Sequence, residues 1–379
     1  MKHILEIKDL QELARRRVPK MFYDYADSGS WSQSTYRANE EDFGKIKLRQ
    51  RVAVNMAERS LETTMLGEKV AMPVAIAPTG LTGMQHGDGE MLAAKACEEF
   101  GVPFTLSTMS ICSIEDVASV TTKPFWFQLY VMKDREFVGN LIDRAKAAGC
   151  SALVLTLDLQ VLAQRHQDLK NGLSAPPKLG LWNLMDMARK PRWCFSMVKT
   201  RRHEFRNIIG HVKGVDDMSS LAEWTANQFD PTLCWDDVKW IKERFDGPLV
   251  LKGILDVEDA KTAVTTGADA IIVSNHGGRQ LDGAPSSIEA LPAIVEAVGD
   301  KIEVHFDGGI RSGQDVFKAL CLGAKGTYIG RPMLYGLGAM GQRGVCLALE
   351  IIAKELDMTI ALCGERGVTN LDRSNLYNG

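Results

Sequence analysis

The sequence predicts an α/β protein of the (β/α)8 TIM-barrel class. Eight short runs of apolar and β-branched residues each lead into a segment with helical periodicity. Strands that are apolar throughout are typical of a parallel sheet covered on both faces. The runs are VAIAPTG (74–80), PFTLST (103–108), FWFQLYV (125–131), ALVLTLD (152–158), PLVLKGI (248–254), AIIVSNHGG (270–278), EVHFDGGI (303–310) and GTYIGR (326–331). No G-x-G-x-x-G pattern follows the first run, which disfavours an open dinucleotide-binding sheet.

The segments between these runs read as helices. DRAKAAG, DVEDAKTAVTTG and SGQDVFKALCLG each close on a glycine, which suits the left-handed residue that follows many helices. We therefore expect a single domain over residues 1–379. It consists of an N-terminal helical cap (1–70), the barrel (71–334) and a C-terminal helical segment (335–379). A long insertion after the fourth strand (159–230) is expected at the C-terminal face of the barrel.

The composition is that of a soluble globular enzyme. Apolar residues make up 45% of the chain and charged residues 25%, and the net charge of −3 does not favour nucleic-acid binding. The first residues have no apolar core of signal-peptide length, and no apolar stretch is long enough for a transmembrane helix. The eight cysteines include no C-x-x-C pair and no neighbouring His at zinc spacing, so we expect buried, reduced thiols and no metal site.

The insertion contains a strongly basic segment. Residues 176–213 hold nine Lys or Arg against two acidic residues, a charge of +7 in a chain whose total is −3. Trp, Phe, Leu and Met interleave with these charges, a mixture typical of a segment that lies on a membrane surface. The alternative is a solvated basic lid over the active site. We expect a cytoplasmic protein attached peripherally to the inner face of the membrane.

Polar side chains follow the predicted strands, and in a barrel such strand ends carry the reactive groups. Two arginines, Arg165 and Arg279, offer forked donors for a carboxylate. His276 at the sixth strand end, with Asp158 to orient it, is suited to act as a general base near neutral pH. Lys252, after the fifth strand, can stabilise negative charge. Glycines next to Arg311 and Arg331, on the last two loops, lie where barrels bind phosphate.

Three motifs give a resemblance to a known family. SNHGGRQLDG (274–283), DGGIRSGQDVFKALCLGA (307–324) and IGRP (329–332) closely resemble the FMN-dependent α-hydroxy acid dehydrogenases and oxidases, over nearly the whole chain. APTGLTGM, STMSICSIEDVA, FDPTLCWDDVKWI and DGPLVLKGILDVEDA are most similar to bacterial respiratory L-lactate dehydrogenases. The resemblance implies FMN as cofactor and oxidation of an L-2-hydroxy acid, L-lactate to pyruvate first of all. It also implies transfer of the electrons to a membrane quinone or another respiratory acceptor, and a homotetramer.

The resemblance also implies roles for individual residues. His276 resembles the base and Asp158 its partner, while Tyr25 and Tyr130 resemble the pair that bonds the substrate. Arg165 and Arg279 resemble the carboxylate clamp, and Lys252 the residue beside flavin N1. The residues that match contacts to the flavin ring and ribityl chain are Pro78, Thr79, Gly80, Ser107, Gln128, Thr156 and Ser274. Those that match the ribityl-phosphate site are Asp307, Gly309, Arg311, Gly330 and Arg331.

Other functions stay open at this point. One is a soluble oxidase that uses oxygen; Gly80, where such oxidases have Ala, favours a dehydrogenase. Another is a dehydrogenase for a larger acid such as mandelate, because Leu159-Gln160 replaces the family's usual Thr-Pro or Met-Pro after Asp158. A third is a membrane-bound FMN sensor without activity, which the presence of His276 and Arg279 disfavours.

Overall fold

The structure, a computed structural model, describes residues 3–173, 180–212 and 228–377. Its strands are β1 (Thr63–Met65), β2 (Glu68–Val70), β3 (Val74–Ile76), β4 (Thr105–Ser107), β5 (Trp126–Leu129), β6 (Ala152–Thr156), β7 (Leu249–Ile254), β8 (Ala270–Val273), β9 (Glu303–Asp307) and β10 (Gly326–Ile329). Strands β3 to β10 form one parallel sheet in chain order, in which β10 also pairs with β3. A parallel bridge between Ile76 and Phe104 joins β3 to the segment before β4 and brings the sheet round to a barrel. All eight predicted barrel strands are confirmed.

Helices flank the barrel. The described α-helices are α1 (Ile7–Arg17), α2 (Lys20–Ala26), α3 (Ser34–Glu41), α4 (Gly89–Phe100), α5 (Ile114–Ala118), α6 (Arg135–Ala147), α7 (His166–Lys170), α8 (Leu181–Ala188), α9 (Pro191–Lys199), α10 (Trp235–Phe245), α11 (Val257–Thr265), α12 (Ser287–Val298), α13 (Gly313–Cys321), α14 (Arg331–Met340) and α15 (Gln342–Leu362). Helices α7, α8 and α9 belong to the insertion after β6. Helix α1 of the N-terminal cap packs on α14, and α15 packs across α4, α13 and α14.

A hairpin that the sequence analysis did not predict closes one end of the barrel. Strands β1 and β2 pair antiparallel through Leu66 and Gly67, which both have positive φ (50° and 77°) as a tight hairpin turn requires. The buried Met65 side chain lies against Gly326, the first residue of β10, so the hairpin covers the N-terminal end of the barrel. The C-terminal end of the barrel is not covered by this hairpin, and the candidate site lies there.

The cysteines are all free thiols, and six of the eight are buried. The expectation of burial was wrong for Cys234, which is exposed because it caps the start of α10 at the surface, and Cys194 is only half-buried. Among the described residues, no group of three His, Cys, Asp or Glu side chains could hold a metal ion. No described helix is long and apolar enough to cross a membrane.

Candidate active site

The C-terminal ends of the barrel strands surround a cavity of about 240 Å³. Most of the residues singled out from the sequence line it: Tyr25, Pro78, Thr79, Gly80, Tyr130, Arg165, Lys252, His276, Arg279, Asp307, Gly309, Arg311, Gly330 and Arg331. The others, which do not line it, are Ser107, Gln128, Thr156, Asp158 and Ser274. Asp158, Ser274 and Ser107 are hydrogen-bonded to lining residues. Thr156 is the strand neighbour of Lys252, and Gln128 accepts a hydrogen bond from Ser107.

His276 and Asp158 form a hydrogen-bonded pair at this cavity, with side chains that are only 17% and 14% exposed. The imidazole Nδ1 lies 2.8 Å from Asp158 Oδ1, and the residues lie at the ends of β8 and β6. Burial lowers the pKa of His276 more than the Asp158 carboxylate raises it. Burial alone would raise the pKa of Asp158, but the His276 and Lys252 charges bring it below its ordinary value. At neutral pH, Asp158 is therefore ionised and His276 neutral, with Nδ1–H donated to Asp158 and Nε2 left as a base.

A sharp turn after β8 holds His276 in place. His276, Gly277 and Gly278 all have positive φ (59°, 64° and 72°), and such backbone strain outside glycine is typical of functional sites. A Cβ at Gly278 would come within 2.5 Å of the Tyr36 backbone nitrogen, so the turn requires glycine there. The Gln280 side chain, just beyond, donates to the Asp158 carbonyl at 2.7 Å and ties the turn to the loop after β6.

The two arginines Arg165 and Arg279 lie together at the cavity, where Arg165 Nε donates to the Arg279 carbonyl. The Arg279 guanidinium donates to the carbonyls of Tyr25 and Ser28 and lies 4.6 Å from the centre of the Tyr25 ring. Burial and the charge of Arg165 lower the pKa of Arg279 to about 10, which leaves it charged at neutral pH. Its Nη2 has no hydrogen-bond partner among the described residues. A buried guanidinium nitrogen that makes no hydrogen bond is available as a donor for an incoming carboxylate.

Asp168 is a member of this group that the sequence analysis missed. It is buried, and its Oδ2 lies 3.6 Å from Arg279 Nη2. Burial raises the pKa of Asp168 more than the charges of Arg279 and Arg165 lower it. The signal available in the sequence is its spacing: Asp168 follows Arg165 by three residues, one turn along α7, so both side chains lie on one side of that helix.

Lys252 is held in a second buried network. Its Nζ lies 2.9 Å from Asp307 Oδ2 and donates to Ser274 Oγ at 3.0 Å. Burial alone would lower the pKa of Lys252, but the Asp307 and Asp158 carboxylates outweigh it and raise the pKa. The ammonium group is therefore a fixed positive charge at the cavity. Tyr130 lines the same cavity as a neutral phenol, because burial and the charge of Asp158 raise its pKa.

The last two loops form a corner that is suited to bind an anion. Helix α14 begins at Arg331, directly after Gly330, so the start of the helix lines the cavity. Arg331 is fixed by bonds to the carbonyls of Ala26 and Ser28, both at 2.9 Å. Arg311 pairs with Glu40 at 2.6 Å. A Cβ at Gly309 would lie 1.9 Å from a backbone oxygen of the N-terminal cap, so only glycine fits there.

Apolar side chains complete the mouth of the cavity. The sequence analysis did not single them out, because they come from the insertion and from loops between elements. They are Leu81, Met109, Leu159, Leu162, Phe205 and Phe229. The ring of Phe229 packs edge-on against Tyr130, with centroids 5.8 Å apart. The side of the site next to Tyr130 is thus lined largely by apolar groups.

The basic segment of the insertion forms a separate surface, called here the α8–α9 hairpin (residues 181–199). Its outward side chains are exposed, among them Trp182 (78%) and Phe195 (62%). Its inner contacts are specific: Trp193 Nε1 donates to the Met84 carbonyl, and Lys190 Nζ donates to the carbonyls at the C-terminal end of α1. The hairpin is therefore fixed to the barrel while its apolar side chains face outward. Lys178 and Lys213 of the predicted 176–213 segment lie outside the described residues.

Comparison with known proteins decides the family. The model of the family described as FMN-dependent dehydrogenase matches residues 14–378. The chain belongs to the FMN-dependent dehydrogenase family. It is similar to the crystal structure of the monotopic membrane protein (S)-mandelate dehydrogenase, with 34% identity, full coverage of both chains and a TM-score of 0.95. It is also similar to a soluble mutant of the membrane-associated (S)-mandelate dehydrogenase from Pseudomonas putida (35% identity, full coverage of both chains, TM-score 0.85). A mandelate oxidase matches at 35% identity over 99% of this chain and 98% of the other, with a TM-score of 0.84.

FMN is thus the cofactor of this FMN-dependent dehydrogenase, and the site fits it. Residues next to the lining of the cavity have buried polar atoms with no hydrogen-bond partner among the described residues. These include Gln128 Nε2 and Thr156 Oγ1, at the ends of β5 and β6. The single helix start that lines the cavity, that of α14, suits the one phosphate of a mononucleotide. The resemblance to α-hydroxy acid enzymes is confirmed at the family level, whereas these structural relatives are mandelate rather than lactate enzymes.

Proposed function

We propose that this FMN-dependent dehydrogenase oxidises L-lactate to pyruvate and passes the electrons to a quinone in the membrane. The observation that carries the proposal is that His276, which is bonded to Asp158, lines the same cavity as Arg165 and Arg279. A base facing a carboxylate clamp is what oxidation of a 2-hydroxy acid requires. The preference for lactate rests on the sequence stretches that resemble respiratory lactate dehydrogenases.

Each of these residues has its own role in the proposed reaction. Arg165, Arg279 and Tyr25 hold the substrate carboxylate, and Tyr130 donates to the substrate oxygen that becomes the keto group. His276 Nε2 removes a proton from the substrate, either from the hydroxyl with hydride transfer or from the α-carbon. Asp158 stabilises the imidazolium that results, because its ionised carboxylate is already bonded to Nδ1. The bound flavin supplies the two-electron acceptor.

The flavin would be held by two groups of residues. Pro78, Thr79 and Gly80, together with Gln128, Thr156 and Ser274, would contact the ring and the ribityl chain. The charged Lys252 would stabilise negative charge beside the ring. The phosphate would lie at the N-terminus of α14, between Arg331 and Arg311, with Asp307 and Gly309 beside the ribityl chain.

A larger apolar acid such as mandelate is the second candidate substrate. The wall formed by Leu159, Leu162, Phe205 and Phe229 favours it, because an apolar side chain larger than a methyl group would bury more surface there. The similarity to mandelate dehydrogenases also supports it. Anaerobic bleaching of the flavin absorbance by a panel of L- and D-2-hydroxy acids decides between them. If L-lactate reduces the flavin faster than L-mandelate the proposal stands, and bleaching by no L-2-hydroxy acid would refute it.

We also propose that the α8–α9 hairpin attaches the enzyme to the cytoplasmic face of the membrane. Fixed inner contacts, exposed Trp and Phe side chains and interleaved basic residues support this, as does the similarity to a monotopic membrane enzyme. A basic lid over the site remains the rival interpretation, and a soluble oxidase the rival function. The proposed homotetramer is tested by sedimentation of the detergent-free enzyme.

A further inference from the structure

A second cavity, of about 490 Å³, lies between helix α1, the C-terminal end of α14 and the start of α9. It contains none of the residues assigned above to the flavin or the substrate. We propose that this cavity binds the ring of the membrane quinone that accepts the electrons. The proposal rests on the proposed function, because it names the place where that acceptor would bind.

The cavity is close to the flavin site. Leu334 of α14 lines the active-site cavity, and Gly338, one turn further along the same helix, lines the second one. One such turn is about 6 Å long. The loop after β3 repeats this relationship: Leu81 lines the first cavity and Gln85 the second, about 8 Å apart along a short 3-10 turn. Residues about one turn apart on two separate segments thus line the two cavities, and we take this spacing as short enough for electrons to cross without a further redox group.

The cavity is equally close to the surface that would meet the membrane. Arg192 and Trp193 of α9 line it, and Phe195, one turn from Arg192, is 62% exposed on the α8–α9 hairpin. Lys199 lies over the Phe195 ring at 4.2 Å, so Arg192, Phe195 and Lys199 form one stripe along the helix. A quinone whose tail stays among the lipids could place its ring in the cavity from this side. The active-site cavity, by contrast, is lined by α14 but by no residue of this hairpin.

The side chains in the cavity suit a quinone. His86 Nδ1 lies 2.8 Å from the Gly87 carbonyl oxygen, which can only accept, so Nδ1 carries the proton. The other ring nitrogen, Nε2, is then free to accept a proton and lies close to Gly341 of the lining. Arg17 and Arg192 supply donors for a carbonyl oxygen, and burial together with the charge of Arg192 lowers the pKa of Arg17. Ile4 and Trp193 add apolar contact for the ring.

The redox step balances without another reactant. The hydroxy acid loses two electrons and two protons and leaves as the 2-keto acid. Each of the two quinone carbonyl oxygens gains one electron and one proton, which gives the quinol. The electrons come from the flavin site, and the protons are taken from water through the open mouth of the cavity. His86 Nε2 is the last carrier for one of them, and the two protons from the substrate return to solvent.

Two pairs of variants of the FMN-loaded enzyme test the site. His86→Phe removes the proton carrier, and His203→Phe is its control, because His203 does not line the cavity. Ile4→Trp fills the cavity mouth, and Leu5→Trp is its control on a side chain that is 75% exposed. We expect a KM for a short-chain ubiquinone about tenfold higher in both lining variants, the usual weight of a lost buried contact. Flavin reduction by the hydroxy acid and turnover with a water-soluble dye should match the controls.

A binding measurement independent of turnover completes the test. A photoreactive azidoquinone should label the peptides around His86 or Trp193, and excess quinone should suppress the labelling. If wild-type enzyme reduces its flavin with substrate but passes no electrons to quinone, the proposed acceptor is wrong. If wild type does reduce quinone while the lining variants equal their controls, or the label lies elsewhere, only this site is wrong. If phosphatidylglycerol vesicles suppress the labelling and excess quinone does not, the cavity is a lipid headgroup site and the proposal is overturned.

Discussion

His276 Nδ1 lies 2.8 Å from Asp158 Oδ1, while the other carboxylate oxygen of Asp158 has no partner among the described residues. The imidazole is therefore the one side-chain hydrogen-bond partner of the Asp158 carboxylate among the described residues. Gly253 makes this approach possible: it has φ +100°, and a Cβ there would lie 2.6 Å from the Asp158 carboxyl carbon. The pair is set by three strands, β6, β7 and β8, rather than by one loop.

Replacement of the base should abolish the chemistry and spare the cofactor. His276→Gln is expected to bind FMN normally and to reduce its flavin with substrate about 10²–10⁴-fold more slowly, the usual weight of a general base. Stopped-flow flavin bleaching under anaerobic conditions measures this rate. His211→Gln, at an exposed site that does not line the cavity, is the control. A His276→Gln variant within tenfold of wild type would show that the base is another residue.

The pH dependence of kcat/KM should follow from the environment of His276. The base works in its neutral form, and burial lowers the pKa of His276 below the ordinary 6.5. We therefore expect kcat/KM to fall on the acid side only below pH 6.5. Asp158 raises this pKa, so Asp158→Asn should move the acid limb to still lower pH and also reduce the plateau. A limb that moves to higher pH in Asp158→Asn would contradict this assignment.

The arginine fork should matter for binding more than for stability. Arg279→Lys keeps the charge but cannot donate two parallel bonds to a carboxylate. We expect KM for the hydroxy acid to rise about 10–100-fold, the equivalent of one charge-assisted bond. Arg206→Lys, whose arginine pairs with Asp116 away from the cavity, serves as the matched control. Equal KM values for the two variants would remove Arg279 from the clamp.

Membrane attachment should depend on the exposed side chains of the α8–α9 hairpin. The double variant Trp182→Ser, Phe195→Ser should lose most of its co-sedimentation with phosphatidylglycerol vesicles at low salt. High salt should release the wild type without detergent, because each basic residue contributes only about 1 kcal/mol at an anionic surface. Leu362→Ser, an equally exposed site (59%) on α15, is the control. Wild type that stays in the supernatant at low salt would favour the basic lid instead.

The barrel could be predicted because strands buried on both faces must be apolar along their whole length. The β1–β2 hairpin has no such run, since Thr64 and Lys69 face solvent and only alternate side chains are buried. The strand ends and the loops after them likewise revealed most of the polar side chains that line the cavity, because parallel strands bring their carboxyl ends to one rim. Asp168 could not be found from the strand ends, because it lies on a short helix of the insertion. The Phe205 and Phe229 contacts depend on how that insertion folds back, which no local pattern encodes.

The last prediction concerns Gly80 and the choice of electron acceptor. A Cβ at Gly80 would lie 3.2 Å from the Tyr25 phenol oxygen and 3.3 Å from the Met109 carbonyl oxygen. Both contacts are tight, so an alanine there would push Tyr25 or the Met109 loop by a few tenths of an ångström. The added methyl group would also change the space and packing beside the proposed position of the flavin. Gly80→Ala should therefore change the rate at which the reduced enzyme reacts with oxygen.

Stopped-flow mixing of substrate-reduced enzyme with air-saturated buffer measures that rate directly. In the wild type, reoxidation by oxygen should be slow beside turnover with a quinone analogue, as expected for a dehydrogenase. Gly80→Ala should alter the oxygen rate while the flavin remains bound. Gly44→Ala, at a glycine with open space around it, is the control for a methyl group added elsewhere. If wild type produces stoichiometric peroxide as fast as it reduces a dye, the enzyme is an oxidase, and the space beside Gly80 does not select against oxygen.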